Sequence, residues 1–398
     1  MTGVVVPFNR PYASGTELAY VEEAIAQGHL SGNGPFTKRC SRWLEAATGA
    51  RQALLTHACT GALEMAALLA NIEPGDEVIM PSFTFVSTAN AFVLRGAVPV
   101  WVDVRPDTLN LDETLVEAAI TPRTRAIVVV HYAGVACEMD ALLELADRHG
   151  LLLVEDAAHA LGATYRGRPL GALGQIGALS FHETKNVISG EGGALLLRDP
   201  GLVERAEILH EKGTNRRSFA RGEVDRYTWV DVGSSFAPSE INAAFLWGQL
   251  ERAEWINARR MEVWRSYHDA FEGLETAGRA RRPVVPEHCG HNAHMYHLLL
   301  SGRAARDEFL RRLERAGVNA VFHYVPLHSS PAGLRLSRAA GELPNTDRAA
   351  ERLVRLPLWV GMSTAHLDLV VHAVFAALAD APDDAVSSWE AAPAASAG

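Results

Sequence analysis

From about residue 50 to residue 200 the chain alternates short β-rich runs with helical stretches, and this pattern limits the possible folds more than any other feature. The runs lie at 77–80, 99–104, 126–131, 151–155, 178–181 and 194–197. Between them come helical stretches at 60–71, with apolar residues at Leu63, Ala66, Ala67 and Ala70, and at 139–149. Near-continuous apolar strands separated by amphipathic helices predict an α/β fold with a mainly parallel sheet covered on both faces. Ligands of such sheets sit beyond the carboxyl ends of the strands. Polar residues just past a strand end are therefore the candidates for chemistry.

The remainder divides simply. A proline-free segment at 239–272 predicts a long helix that bridges a large domain, residues 1–250, to a smaller one, residues 251–380. The smaller domain is expected to be α+β, with its own strand at 294–301 and a helix at 306–316. Residues 381–398, rich in Ala, Ser, Asp and Pro, are expected to be a disordered tail. No apolar run reaches the 18 or more residues of a membrane span, and the first residues lack the pattern of a secretory signal. The formal charge of −10 argues against a nucleic-acid partner. Four scattered cysteines without a CxxC pair suggest neither disulfides nor structural zinc, which fits a cytoplasmic protein.

Several strand ends carry chemistry, each with a plainer reading beside it. Cys59 and Thr60 begin a helix, which offers free backbone N–H groups and a positive dipole end; a simple N-cap is the alternative. Phe83 and Phe85 follow a strand end and can either pack in the core or stack on a flat ring. Glu155, Asp156 and His159 close the strand at 151–155. A carboxylate there is either a helix cap or the partner of a cationic ring nitrogen. In GALSFHETKNVISGEGG (177–193) a lone lysine, Lys185, stands after a buried strand; it is either a stray surface charge or an amine whose pKa desolvation lowers, which makes it a nucleophile. The segment EHCGHNAHMYHLLL (287–300) is rich in histidine but matches no zinc pattern. Strand alternation would put His294 with Tyr296 on one face and Met295 with His297 on the other, so no metal is expected. Neither a dinucleotide nor a P-loop glycine pattern is present.

Taken together, a phosphate cradle, an aromatic ring, an Asp/His pair and a Ser-x-x-x-x-Lys are what pyridoxal phosphate (PLP) requires of a protein. The motifs GHLSGNGPFT, GDEVIMPSFTFVSTANA, VEDAAHALGATYRG, LSFHETKN, EGGAL and HYVPLH resemble the DegT/DnrJ/StrS family of nucleotide-sugar aminotransferases over about residues 7–357. The stretches EKGTNRRSF, DRYTWVDVGSSFAPSE and FHYVPLHSSPAG resemble most closely its TDP-4-keto-6-deoxyglucose 4-aminotransferases. The resemblance implies a fold-type I PLP enzyme with a mainly parallel seven-stranded sheet. It implies Lys185 as the Schiff-base lysine and general acid/base, and Asp156 on the pyridine nitrogen. His159 would contact the phenolic oxygen and Phe85 would stack on the ring. Cys59 (through its N–H), Thr60 and Ser180 would hold the phosphate. It further implies a TDP-keto-sugar as substrate, glutamate as amino donor, and a homodimer whose 210–236 loop reaches the partner's site.

The chain also departs from the family pattern. Where many members read GYNYR it has Gly233-Ser234-Ser235-Phe236-Ala237. Ser235 thus replaces an asparagine that reaches the neighbouring subunit's cofactor, and Ala237 replaces the arginine that grips the donor's carboxylate. Arg216 and Arg217 are either the compensating residues or simply an exposed basic loop, and Asn33, His323 and Tyr324 are further candidate substrate contacts. Amination at carbon 3 and a non-catalytic PLP-binding regulator are the alternative functions. The axial or equatorial product, the nucleotide and the pathway are not legible in the sequence.

Overall fold

The computed structural model describes residues 5–379; the expected disordered tail lies outside the described residues. Its centre is an eight-stranded sheet. In chain order the first seven strands are β1 (Gln52–Thr56), β2 (Glu77–Pro81), β3 (Val98–Val102), β4 (Thr124–Val130), β5 (Leu152–Asp156), β6 (Ile176–Ser180) and β7 (Gly193–Leu197). A second set comes from the C-terminal part: β8 (Tyr296–Leu299), β9 (Val321–Phe322), β10 (Arg338–Ala339) and β11 (Leu353–Leu356). The spatial order of the large sheet is β1-β7-β6-β5-β4-β2-β3-β10. Only β7 runs antiparallel, to both neighbours; every other pair is parallel. The expected count of seven is thus exceeded by one. The extra strand is two residues long and arrives from the C-terminal part, too short to give a sequence signal.

Alternation along each strand divides the apolar side chains between two cores. Ala53, Leu55, Ile127, Val129, Ala194 and Leu196 face one; Leu54, Ala126, Val128, Leu195 and Leu197 face the other. The first is covered by helices α1 (Thr16–Gln27), α2 (Pro35–Thr48), α6 (Met139–His149) and α9 (Glu240–Leu250). The second is covered by α3 (Cys59–Leu69), α4 (Val86–Val93) and α7 (Val203–His210), where α5 denotes Glu113–Ala119 and α8 Arg216–Ala220. Burial on both faces explains the near-continuous hydrophobic strands. Truncating a buried central residue such as Ile127 to Ala costs about 2–5 kcal/mol.

A buried carboxylate anchors the loop beneath the strand ends. Glu155 accepts N–H bonds from Gly171, Leu173 and Gly174 at 2.6–2.8 Å and pairs with His131 Nε2 at 2.8 Å. Burial alone would raise its pKa, but the histidine and the N–H donors outweigh that and hold it below the ordinary value. Glu155 is therefore structural, and its neighbour Asp156 points to the other face.

The helix expected over 239–272 is broken at Glu251–Arg252 into α9 and α10 (Ala253–Ala270). The two halves serve different cores. Ala243, Leu246 and Leu250 of α9 pack on the large sheet, while Val263, Trp264 and Tyr267 of α10 join a third core with Val6, Tyr296, Phe309 and Val374. Over this third core β8, β11 and β9 form a small antiparallel sheet. No helix among the described residues is long and apolar enough to cross a membrane.

Candidate active site

A cavity of about 540 Å³ opens at the carboxyl ends of β5 and β6, against the start of α3. Asp156 and Ser180, the last residues of β5 and β6, line it together with Cys59, Thr60, Phe85, His159, Lys185, His323 and Tyr324. Side chains from distant parts of the chain are thereby brought to one place. Ser235, Asn33, Arg216 and Arg217 are not among the lining residues. Ser235 is exposed and bridges to Glu211. Asn33 and Arg217 bond each other at 2.7 Å, Asn33 also donates to Glu211, and Arg217 pairs with Glu207 at 3.4 Å. Arg216 is exposed at the start of α8.

Local structure fixes the central groups. The turn carrying Lys185 is closed by backbone bonds from Lys185 N–H to His182 O and from Ser189 N–H to Phe181 O. The next residue, Asn186, donates to Asn257 Oδ1 and Asn292 O, both at 2.8 Å. Burial pushes the Lys185 amine below the ordinary lysine value, the Arg355 charge adds to this, and Cys59 and Asp156 act the other way. Asp156 accepts from the Thr88 hydroxyl at 2.7 Å and from Ala158 N–H at 3.1 Å. Thr88 in turn meets Thr84 at 2.8 Å. His159 stacks on His294, with ring centroids 4.1 Å apart. Desolvation first, then the charges of Lys185 and Arg355, hold it well below the ordinary histidine value, so its ring is neutral.

The residues present fit PLP. The N-cap of α3, Ala58, makes no side-chain cap; Gly61 N–H donates to Ala58 O at 3.0 Å, which leaves the Cys59 and Thr60 N–H groups of this 11-residue helix for a phosphate. Around them stand the hydroxyls of Thr60, Ser87 and Ser180, with Thr60 donating to Ser87 at 2.8 Å. Glycine at 193 permits this approach, because a Cβ there would lie 2.5 Å from Cys59 N. Phe85 is 59% exposed at the rim, which suits a ring stacking on a ligand better than core packing. His159 Nδ1 is buried without a partner. Phe83, by contrast, is buried against Tyr132 and Tyr324, the plainer of its two readings.

Sequence reasoning missed part of the site. Ser87 and Thr88 sit in PSFTFVSTANAF (81–92), where the aromatic rings are the more conspicuous feature; two hydroxyls at a helix start are the available signal. Arg260, His294 and Arg355 also line the cavity. The signal for Arg355 is a lone charge inside the apolar run 353–360. The alternation expected at 294–297 fails because β8 begins only at Tyr296, after a positive φ of 51° at Ala293. Tyr296 enters the third core, while His294 stacks on His159 and His297 lies 6.0 Å from Tyr132. The histidines therefore converge on one ring cluster. Among the described residues no group of three His, Cys, Asp or Glu side chains is placed to hold a metal.

Comparison with known proteins gives the same picture. Residues 11–375 match the DegT/DnrJ/EryC1/StrS aminotransferase family. The chain is 34% identical over 380 residues to the spore coat polysaccharide biosynthesis protein SpsC of Bacillus subtilis (strain 168), covering 93% of this chain and 96% of that protein. The crystal structure of the aminotransferase TlmJ from Streptoalloteichus hindustanus superposes with a TM-score of 0.86 at 34% identity, over 94% of this chain and 99% of TlmJ. Spr1654 from Streptococcus pneumoniae, solved in PMP and PLP forms, gives TM-scores of 0.87 and 0.86 at 26% identity, over 94% of this chain and 98–99% of that protein. The chain belongs to the DegT/DnrJ/EryC1/StrS aminotransferase family and is a fold-type I, PLP-dependent sugar aminotransferase.

Proposed function

We propose that the enzyme moves an amino group from L-glutamate to carbon 4 of a TDP-4-keto-6-deoxyhexose, giving a TDP-4-amino-4,6-dideoxyhexose. One observation carries the chemistry: an amine with a lowered pKa, Lys185, shares a cavity with the Asp156 carboxylate. The choice of carbon 4 is supported by the resemblance of 211–219, 225–240 and 322–333 to 4-aminotransferases. When bound, PLP supplies an aldehyde that accepts an amine and a protonated ring that draws electrons from the adjacent carbon.

The chain's residues supply the rest. Asp156, held by Thr88 and the Ala158 N–H, would keep the ring nitrogen protonated through a desolvated charge pair. Thr60, Ser87, Ser180 and the start of α3 would hold the phosphate, and Phe85 would stack on the ring. Lys185, with its lowered pKa, would act as base toward the proton on the donor's α-carbon and, in the second half, as the acid that gives a proton to carbon 4 of the sugar. A single lysine serves both halves because the two substrates occupy the cavity in turn.

We also propose that the protein is a cytoplasmic homodimer and that the 210–236 loop, with Ser235, Arg216 and Arg217, reaches the partner's cavity. In one chain these residues lie away from the lining, as that arrangement requires. The test is a spectrum of the purified holoenzyme with L-glutamate, followed by TDP-4-keto-6-deoxyglucose and NMR of the product. A shift of the visible band and an amine at carbon 4 are expected. An amine at carbon 3 would overturn the regiochemistry, and a protein that takes up no PLP would overturn the reading as a whole.

A further inference from the structure

We propose that Arg355 is the residue that holds the carboxylate of the amino donor. It lies in the interior of β11, opposite His297 on one side and Val321 on the other, and it lines the cavity with Lys185. Its Nε is buried without a hydrogen-bond partner. The contacts it does make are weak: Phe322 O at 3.5 Å, and the Phe8 ring with centroid 4.7 Å from the guanidinium carbon. A guanidinium removed from water without a carboxylate is costly to hold, and burial pushes its pKa below the ordinary arginine value.

Arg260, the other cavity arginine, is different. It donates to Ala293 O at 3.1 Å and His294 O at 2.7 Å, so it is committed to shaping the loop before β8. Among the lining residues the cations Arg260 and Arg355 meet only Asp156 and Glu191 as carboxylates, and Asp156 is committed to the ring nitrogen in the proposed reaction, so Arg355 is left to an anionic ligand. The free end of α3 and its hydroxyls answer one anion, the cofactor phosphate; among this chain's own lining residues Arg355 remains for a second.

Chemistry selects which anion. The amine and carboxylate of an α-amino acid share one carbon, so a carboxylate-binding group must stand near the lysine that works on that carbon. The diphosphate of a sugar nucleotide lies the width of a hexose from the carbon that is aminated. Arg355 lines the same cavity as Lys185, His159 and His323, and its charge lowers the pKa of all three, which places it at the reacting end. A planar fork of donors suits a planar carboxylate.

The assignment rests on the proposed transamination, and the experiment separates the two. The holoenzyme and its Arg355→Ala and Arg355→Lys variants are mixed with L-glutamate, and the decay of the visible band is followed over a single turnover. The pyridoxamine-loaded forms are mixed separately with the keto-sugar. Calorimetry measures binding of glutarate, a dicarboxylate without an amine. For Arg355→Ala the glutamate concentration dependence is expected to weaken on the order of 100-fold, with glutarate binding lost in parallel. The keto-sugar half should change less than about 3-fold, and Arg355→Lys should fall between, since a point charge replaces the fork. An unchanged glutamate dependence in Arg355→Ala, or an equal loss in both halves, overturns the role of Arg355. A wild-type holoenzyme that responds to no amino acid overturns the transamination reading instead.

Discussion

The strand-end wall of the cavity places Cys59, Thr60, Asp156, Ser180 and Lys185 within about five residues of a regular element, whereas the wall from residues 294–358 is mostly loop and short strand. On the first wall, functional groups are donors and charges whose position follows from where a parallel strand ends. On the second, they are rings and guanidinium groups positioned by packing: His294 on His159, His323 on Tyr324 at 3.6 Å, and Arg355 beside Phe8. The difference suggests a division of labour. On the proposed assignment the strand ends would serve the cofactor, which every turnover needs in one place, and the packed wall the substrates that alternate there.

If that division holds, the largest losses come from the strand-end wall. Lys185→Ala should abolish turnover, lowering kcat by at least about 10³-fold, because it removes both nucleophile and proton carrier. Stopped-flow spectra with L-glutamate check this, and retained turnover would remove Lys185 from the mechanism. Asp156→Asn should follow, with kcat lowered by about 10²–10³-fold. The amide cannot hold a proton on the ring nitrogen by charge, although it can still accept from Thr88. Its PLP affinity should fall less than kcat, as measured by the visible band at limiting cofactor. A variant that lost cofactor binding alone would make Asp156 a binding residue only.

These two residues also mark what the sequence makes legible. Asp156 and Lys185 stand out because a charge directly after a buried strand breaks a simple pattern, and the alternation of strands and helices tells on which edge of the sheet they gather. Ser87 and Thr88 are less visible, since hydroxyls at a helix start look like ordinary capping. Arg355 reaches the cavity only because β11 pairs with β8 and β9, long-range contacts that no local pattern encodes. The break at Glu251–Arg252 is hidden for the same reason: both halves are good helix, and only the two cores they join require the bend.

The packed wall should govern the response to acid. His294 and His323 of this wall, and His159 stacked against it, are held well below the ordinary histidine value by burial, and His297 is held at about 3 by burial and then by Arg281 and Arg355. In the unfolded chain these rings take up protons as pH falls through about 6.5, while in the folded protein they stay neutral. The unfolded state then binds more protons, so stability is full above about pH 6.5 and declines as pH falls toward the folded values. Each fully buried ring contributes up to about 1.4 kcal/mol per pH unit over that window. Urea midpoints at about pH 7.5 and about pH 5.5 should therefore differ clearly, with the acid value lower. Equal midpoints would mean that the wall opens to water and that its packing does not position the substrates.

The smallest effect separates two layers within the strand-end wall. Thr88 is not among the residues lining the cavity; it gives a hydrogen bond of 2.7 Å to Asp156 and meets Thr84 at 2.8 Å. Thr88→Val keeps the shape and removes the donor, leaving the Ala158 N–H at 3.1 Å as the remaining bond to the carboxylate. A hydrogen bond to a charged group is worth about 1.5–3 kcal/mol, and part of this is lost as less effective charge pairing with the ring nitrogen. The expected result is a fall in kcat of about 10-fold with the glutamate KM nearly unchanged, and a shift in the pH dependence of the visible band. Because Thr88 is fully buried, a merely structural role would lower the unfolding midpoint and leave that pH dependence in place. A change in the band without a loss of stability assigns Thr88 to positioning Asp156, and so extends the cofactor wall one residue deeper than the strand ends themselves.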